Sequence, residues 1–473
     1  MGVEKPDAFG RTPVNVLLIG SDTRDTAEDC QLGGACDNGG GGANADVEMI
    51  VHLSADRSNI SVMSIPRDLM TNLPACTDAV THASLGAHYG RINSTLDYGP
   101  SCTATAVHQL TGIPIDQFAM VDFGGVVDMS NALGGVNLCF THSFYDINSG
   151  LKLTAGHHVL QGKATLEFLR TRDSFGDGSD NVGRTSATHE FFTAMINKLK
   201  NAGTLTDIPA MYKIADAATK SLTVSPGLDT PLKLIGLADD LNKVKPDRIT
   251  FTTMQNAPDP ENSSRVLIAP GATTLFSAIA NDQSLTTASG GSSGAGTVKS
   301  SAAPGVKPAD VTVAVYNGTA GAGWSDTIAT ALVSDGFNRA TAGYPDSDYP
   351  TTTLTYGPGQ AAQAQLVATA LGLPARSLVQ GKGTAAGLKL VLGADWTSGL
   401  TFPGSKATPA PANTAVALNN ANSQSAADNK CVDVSTDETE NKLGLDTGAS
   451  WNSPPETPEE MFQIYSNLPN SAP

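Results

Sequence analysis

Residues 14–19, Val-Asn-Val-Leu-Leu-Ile, form a nearly unbroken apolar run of strand length, the pattern of a strand buried on both faces. Two more apolar runs, Glu48 to Ser54 and Asn59 to Ile65, flank Asp56-Arg57-Ser58. That polar triplet predicts a hairpin turn. Helical spacing follows from Arg91-Ile92-Asn93 and over 102–111, ending near Gly112 and Pro114. Residues 118–123 read as a strand, 125–133 as a short helix stopped by Gly134-Gly135, and 136–140 as another strand. Gly162 to Leu169 is helical by pattern, as are 187–201 and 229–244, before a strand at 248–254. Apolar, uncharged segments such as Phe118-Ala119-Met120-Val121 suit packed core better than a cavity wall.

The pattern breaks at 283–309, where Ser, Gly, Ala, Thr and Pro take over as in a flexible linker. A strand-turn, Val311 to Gly318, opens a second unit over 310–400 with helices at 324–335 and 360–371 and strands near 339–344, 352–356 and 388–392. It is a small α/β unit without clustered titratable groups, which suggests a binding module. Residues 401–473 turn Pro/Ala/Asn-rich and then acidic, a composition that predicts disorder. The first unit thus spans 14–282, behind an N-terminal extension of 1–13.

The formal net charge of -17 argues against a nucleic-acid partner, which would require a basic face. No apolar run reaches transmembrane length, and the polar start lacks a signal peptide. The chain is therefore either soluble or anchored by a segment outside this sequence. Six cysteines include no C-x-x-C pair. Cys30 and Cys36 flank a Gly-rich loop and could close it; Cys76 with Cys102 is the second candidate pair, and buried free thiols are the alternative. Cys431 has no obvious partner. The histidines lack zinc-site spacing and read as incidental.

Within this acidic chain, Arg170 and Arg172 sit two positions apart after an apolar run, and Arg184 follows a Gly/Asp-rich loop. In extended backbone the first two share a face, and paired guanidinium groups suit phosphate. The alternative is a solvated pair balanced by Asp173, Asp177 and Asp180. A second convergence is topological. Asp22 and Arg24 follow the first strand, Asp46 precedes the second, and Arg67-Asp68 follow the third, so an antiparallel hairpin puts them on one sheet edge. Two carboxylates there suit Mg2+ bound beside substrate phosphates. A turn-capping role for Asp22 is the plainer reading.

Asn15 to Arg24, Asp46, Ser64-Ile-Pro-Arg-Asp68, Arg91-Ile-Asn-Ser94, Leu133-Gly-Gly-Val136, Leu153 to Gly156, Leu160 to Lys163 and Leu169-Arg-Thr-Arg172 fall in the order seen in the LytR–CpsA–Psr family. The sequence resembles that family over roughly residues 14–200, and 311–393 resembles the C-terminal domain that often follows. The resemblance implies an α/β fold, a mixed sheet flanked by helices, plus a small α/β C-terminal domain. It implies an extracytoplasmic, membrane-anchored transferase that moves a glycopolymer from a polyprenyl diphosphate carrier to a peptidoglycan acceptor. Asp22 and Asp46 would hold Mg2+. Arg24, Arg67, Arg91, Arg170, Arg172 and Arg184 would contact the diphosphate, with Arg67 and Asp68 at the catalytic edge. An apolar cavity along 118–140 would take the lipid. A diphosphatase and a non-catalytic polyprenyl-phosphate or cell-wall binding protein are the alternatives. The chain departs from the family pattern at Asn44, usually Arg, and at Ala187-Thr188, usually Arg-Gln. The spacing from Asp180 to Arg184 is also one residue longer than usual.

Overall fold

The computed structural model describes residues 10–23, 32, 43–77, 82, 84–178, 183–201, 207–269, 271–286, 307–319, 323–339, 349–381, 387–397, 399–403, 417–419, 421–428, 430–440 and 456–473. Strand β1 (Val14–Ser21) pairs antiparallel with β2 (Ala45–Leu53), and β2 pairs antiparallel with β3 (Ile60–Ile65). The turn between β2 and β3 closes through Ser54 N–H to the Asn59 carbonyl at 3.1 Å. Two reversals make β1 and β3 run the same way. Strand β4 (Gln117–Val121) joins β1 in parallel. Across the small ribbon of β5 (Val136–Phe140) and β6 (Gly156–Leu160), the chain reaches β7 (Leu222–Val224), which extends the sheet beyond β4. β8 (Ile249–Thr253) runs parallel beside β3.

Helices cover both faces. On one, α1 (Pro100–Thr111) supplies Val107 and Leu110 to a core with Leu17, Ile50 and Met63. α2 (Phe123–Leu133) and α3 (Lys163–Arg170) lie further along the chain. On the other face, Phe192 and Ile196 of α4 (Gly183–Asn201) pack on Met49, Val51 and Val62. α5 (Ile208–Ser221), not anticipated from the sequence, packs between α2 and α6 (Pro231–Asn242). α7 (Ala272–Ala280) joins the α1 face through Leu275 and Ile279.

The second unit is a five-stranded sheet of β9 (Thr312–Asn317), β10 (Asn338–Arg339), β11 (Thr353–Tyr356), β12 (Leu378–Gln380) and β13 (Leu388–Leu392), in the order β10-β9-β13-β11-β12. Its helices are α8 (Trp324–Ser334) and α9 (Ala361–Leu371). It does not stand apart. Its apolar side chains continue the α1–α7 core, Asn72 Nδ2 donates to Thr327 Oγ1 at 3.3 Å, and Gly399 N–H donates to the Gln109 carbonyl at 2.6 Å.

Disorder was expected over 401–473, but the described part of that tail is packed. β14 (Gln424–Ser425) adds antiparallel to β8, completing a seven-stranded sheet of order β7-β4-β1-β2-β3-β8-β14. Cys431, for which the sequence offers no obvious partner, is bonded to Cys139 on β5. A helix, α10 (Pro458–Ile464), opens on a Thr457/Glu460 capping box and lies against residues 144–145. Low hydrophobicity misled here because the tail is held by backbone pairing, a disulfide and a few buried side chains such as Val432 and Val434. Cys76 and Cys102 are also joined, with Cα atoms 5.7 Å apart; Cys30 and Cys36 lie outside the described residues.

Val432 and Val434 close an aromatic cluster in which Phe140 lies 5.3 Å from Phe144 and 5.9 Å from Phe168, ring centre to ring centre. Phe140→Ala should cost about 3–5 kcal/mol, the usual loss for a buried aromatic and its cavity. Urea unfolding of the full chain measures it, and a loss below about 1 kcal/mol would mean that the cluster collapses around the gap.

Candidate active site

The register sets the site. Asp22 follows β1, Asp46 is the second residue of β2, and Arg67-Asp68 follow β3, so all four stand at one end of the central sheet. A register shift between Gly20 and Ser21 bends the β1 end. Asn44 holds Asp22 by two bonds: its backbone N–H donates to Asp22 Oδ1 at 2.7 Å and its Nδ2 to Asp22 Oδ2 at 3.2 Å. The residue that departs from the family pattern therefore fixes the first carboxylate.

Asp46 is the point of convergence. Arg67 Nη1 donates to its Oδ1 at 2.7 Å, Arg172 Nη2 lies 4.0 Å from its Oδ2, and Arg184 Nη2 donates to its backbone carbonyl. Arg67 Nε also donates to Asp68 at 3.2 Å, and Arg91 Nη1 reaches the other Asp68 oxygen at 3.3 Å. The result is a chain of alternating charges, Arg91–Asp68–Arg67–Asp46–Arg172. A cavity of about 40 Å³ opens beside it, lined by Asp46, Arg67, Arg184 and Thr188 among others. None of its lining residues comes from 118–140, where an apolar cavity was expected. There the five residues of β4 are half-buried, as are Val126, Val127 and Met129 of α2.

Arg170 and Arg172 do not form an extended pair. Arg170 is the last residue of α3, and only Thr171 turns extended. Their side chains take different partners: Arg170 lies 5.2 Å from the Phe123 ring centre and donates to the Leu32 carbonyl at 2.9 Å, whereas Arg172 points at Asp46. Arg24 and Asp180 lie outside the described residues.

Three residues of the neighbourhood escaped the sequence reading. Glu48 is buried without a hydrogen-bond partner, and burial pushes its carboxyl well above the usual range. Its position two residues after Asp46 in a strand was the available signal. Asp97 accepts from the Ala43 backbone; burial, then the nearby Asp22 charge, pushes it upward. His189, read as incidental, sits beside Ser64 with Nε2 2.8 Å from the hydroxyl oxygen, and burial lowers it to about 3.

Asp22 and Asp46 offer hard oxygen donors of the kind Mg2+ takes. Among the described residues, no three His, Cys, Asp or Glu gather at ligand spacing.

Sheet, strand-end carboxylates and converging arginines define an α/β protein with a site suited to a phosphate-bearing ligand. A LytR_cpsA_psr family model matches residues 4–279, more than half of the chain, and a LytR cell envelope-related transcriptional attenuator model matches 310–396. The chain belongs to the LytR–CpsA–Psr family. It is 26% identical over 263 residues to the cell wall biosynthesis protein LcpA of Corynebacterium glutamicum, covering 51% of this chain and 49% of that protein. With the probable cell wall biosynthesis protein LcpB of the same organism it shares 31% over 218 residues, covering 45% and 48%. With TagT of Bacillus subtilis, a polyisoprenyl-teichoic acid–peptidoglycan teichoic acid transferase, it shares 27% over 248 residues, covering 51% and 69%. The chain thus spans about half the length of the two Corynebacterium proteins.

His189 supplies a pH prediction. Neutral in the fold to about 3, it takes a proton in the unfolded chain below its ordinary 6.5. The unfolded state then binds more protons, so stability is complete above 6.5 and falls as pH drops toward 3. The slope attributable to this group approaches about 1.4 kcal/mol per pH unit. His189→Gln should flatten stability against pH in that window by one proton; an unchanged slope from urea unfolding at stepped pH would refute the assignment.

Proposed function

We propose that the chain transfers a glycopolymer from a polyprenyl diphosphate carrier to peptidoglycan. The observation that carries this reading is the gathering of Arg67, Arg172 and Arg184 around Asp46 in a protein of net charge -17. A diphosphate brings concentrated negative charge, and guanidinium groups match its oxygens bidentately. The similarity to TagT, a polyisoprenyl-teichoic acid–peptidoglycan teichoic acid transferase, supports the same class of reaction.

In this reading the arginines draw the diphosphate to the sheet edge. An acceptor hydroxyl of peptidoglycan attacks the glycan-bearing phosphorus, the bond to the bridging oxygen breaks, and polyprenyl phosphate leaves. Asp68, held between Arg67 and Arg91, or Asp46 takes the hydroxyl proton. Arg67 offsets charge growing on the leaving phosphate. Mg2+, held by Asp22 and Asp46, would neutralise part of the diphosphate charge. The half-buried apolar side chains of β4 and α2, with exposed Ile208, Tyr212 and Leu232 on α5 and α6 nearby, offer a surface for the lipid. Among the described residues no helix is long and apolar enough to cross a membrane; in this reading the lipid-linked donor and the peptidoglycan acceptor meet at the outer face of the cell membrane.

The test is turnover of a polyprenyl diphosphate-linked glycan with peptidoglycan fragments, followed by mass spectrometry of the products. Joined polymer is expected; glycan phosphate released with polyprenyl phosphate but without joining would identify a hydrolase, and neither product a binding protein. Arg67→Ala should lower kcat roughly 10²- to 10³-fold, the range for removing one transition-state donor, with little change in KM. Asp22→Ala should lower rate and magnesium dependence together, and full turnover in excess chelator would remove the metal from the mechanism.

A further inference from the structure

Beyond the strand ends, the tail and the arginine-bearing loop form one connected body. The described tail first bonds to the sheet edge: Thr253 N–H donates to the Ala421 carbonyl at 2.8 Å, and Ala426 N–H to the Ile249 carbonyl at 3.0 Å. It then touches α4, where Asn422 Nδ2 donates to Ser186 Oγ at 3.1 Å and Asn197 Nδ2 to the Ala426 carbonyl at 3.2 Å. At Cys431 it is covalently fixed to Cys139. Residues 432–435 then lie between the end of β5 and the loop after Arg172. Val432 N–H donates to the Cys139 carbonyl at 2.7 Å, Thr141 N–H to the Val432 carbonyl at 3.1 Å, Gly176 N–H to the Asp433 carbonyl at 2.8 Å and Ser435 N–H to the Ser174 carbonyl at 2.9 Å.

The loop so gripped joins two of the site arginines. Arg172 stands at its start, and Arg184 opens α4 beyond it. Phe175, paired with Val434, presses its carbonyl so closely on Gly183 that a β-carbon there would collide with it. Gly183 precedes Arg184 directly. Tail, Phe175, Gly183 and Arg184 are thus in serial contact.

A second lock lies at Glu440. Ser174 Oγ is 3.0 Å from Asp146 Oδ2 and 2.9 Å from Glu440 Oε1, with all three residues buried. A hydroxyl has one hydrogen, so it donates to one carboxylate at a time. Burial, then the neighbouring Asp146, pushes Glu440 up to about 8, and burial also raises Asp146.

We propose that the tail segment 417–440 is a disulfide-anchored strap that positions Arg172 and Arg184, making Cys139, Cys431, Ser174, Asp146 and Glu440 positioning residues of the site. The inference rests on the phosphate reading of those arginines. Two readouts separate it from that reading. Hydrogen–deuterium exchange of 171–178 and 183–188 reports loop position without a ligand. Calorimetry with geranylgeranyl diphosphate, in wild type and in full-length Cys431→Ser, reports affinity. The strap predicts faster exchange in both segments of the variant and a roughly 2- to 30-fold weaker affinity, the range for mutations that act through packed contacts. Should the variant fail to fold by circular dichroism, Glu440→Ala with the disulfide intact serves the same comparison. Unchanged exchange at 183–188 in a folded variant overturns the strap. Faster exchange with no binding of the diphosphate even in wild type keeps the strap and overturns the phosphate reading.

Discussion

The site depends on the pair between Asp46 and Arg67. Without Asp46, the groups of Arg67, Arg172 and Arg184 would face one another across a small space and repel. The Asp46 carboxylate draws Arg67 and Arg172, while its backbone carbonyl takes the Arg184 hydrogen bond. In the proposed reaction, a diphosphate entering this site would carry more charge than the carboxylate and more acceptor oxygens, and would take over bonds that are already aimed. Much of the ordering is done by folding, which leaves less to be done on binding.

Sheet register is what makes that pair possible. Residues 22, 46 and 67 come together only because β1, β2 and β3 alternate in direction and keep their alignment, with Glu48 opposite Ile65 and Ile19 opposite Glu48. A one-residue slip of β2 would turn Asp46 to the other face and bring Val47 to the arginines. The buried apolar residues of β2, Met49, Ile50 and Leu53, resist that slip, because it would exchange the side chains between two differently packed faces.

Period-2 and period-3.6 patterns made the first sheet readable from residues alone. β1, β2 and β3 are largely apolar, and their order dictates which ends meet. The arginine stretch was harder. Spacing put Arg170 and Arg172 on one face only if the backbone was extended, and α3 runs one residue further than its apolar pattern, ending on Arg170. α5 was missed because its apolar positions are diluted by alanine and lysine, and Ile208 and Tyr212 remain exposed. The tail was illegible for a different reason. Its anchors act over 292 residues, from Cys139 to Cys431, and no local period records a contact made at that distance. Glu48 shows the limit from the other side: its burial depends on everything packed around β2, not on its neighbours in sequence.

The same disulfide changes what the small domain is. Between Cys139 and Cys431 the chain completes most of the large domain, builds the β9–β13 sheet, and returns to be pinned to β5 of the large domain. The small domain is an insertion within a covalent ring, not a bead on the end of a string. Both of its ends are moored to one platform through two chain paths. Mechanical load on the domain would divide between the two paths, and cutting the chain once between residues 282 and 310 would leave the domain still attached through the disulfide.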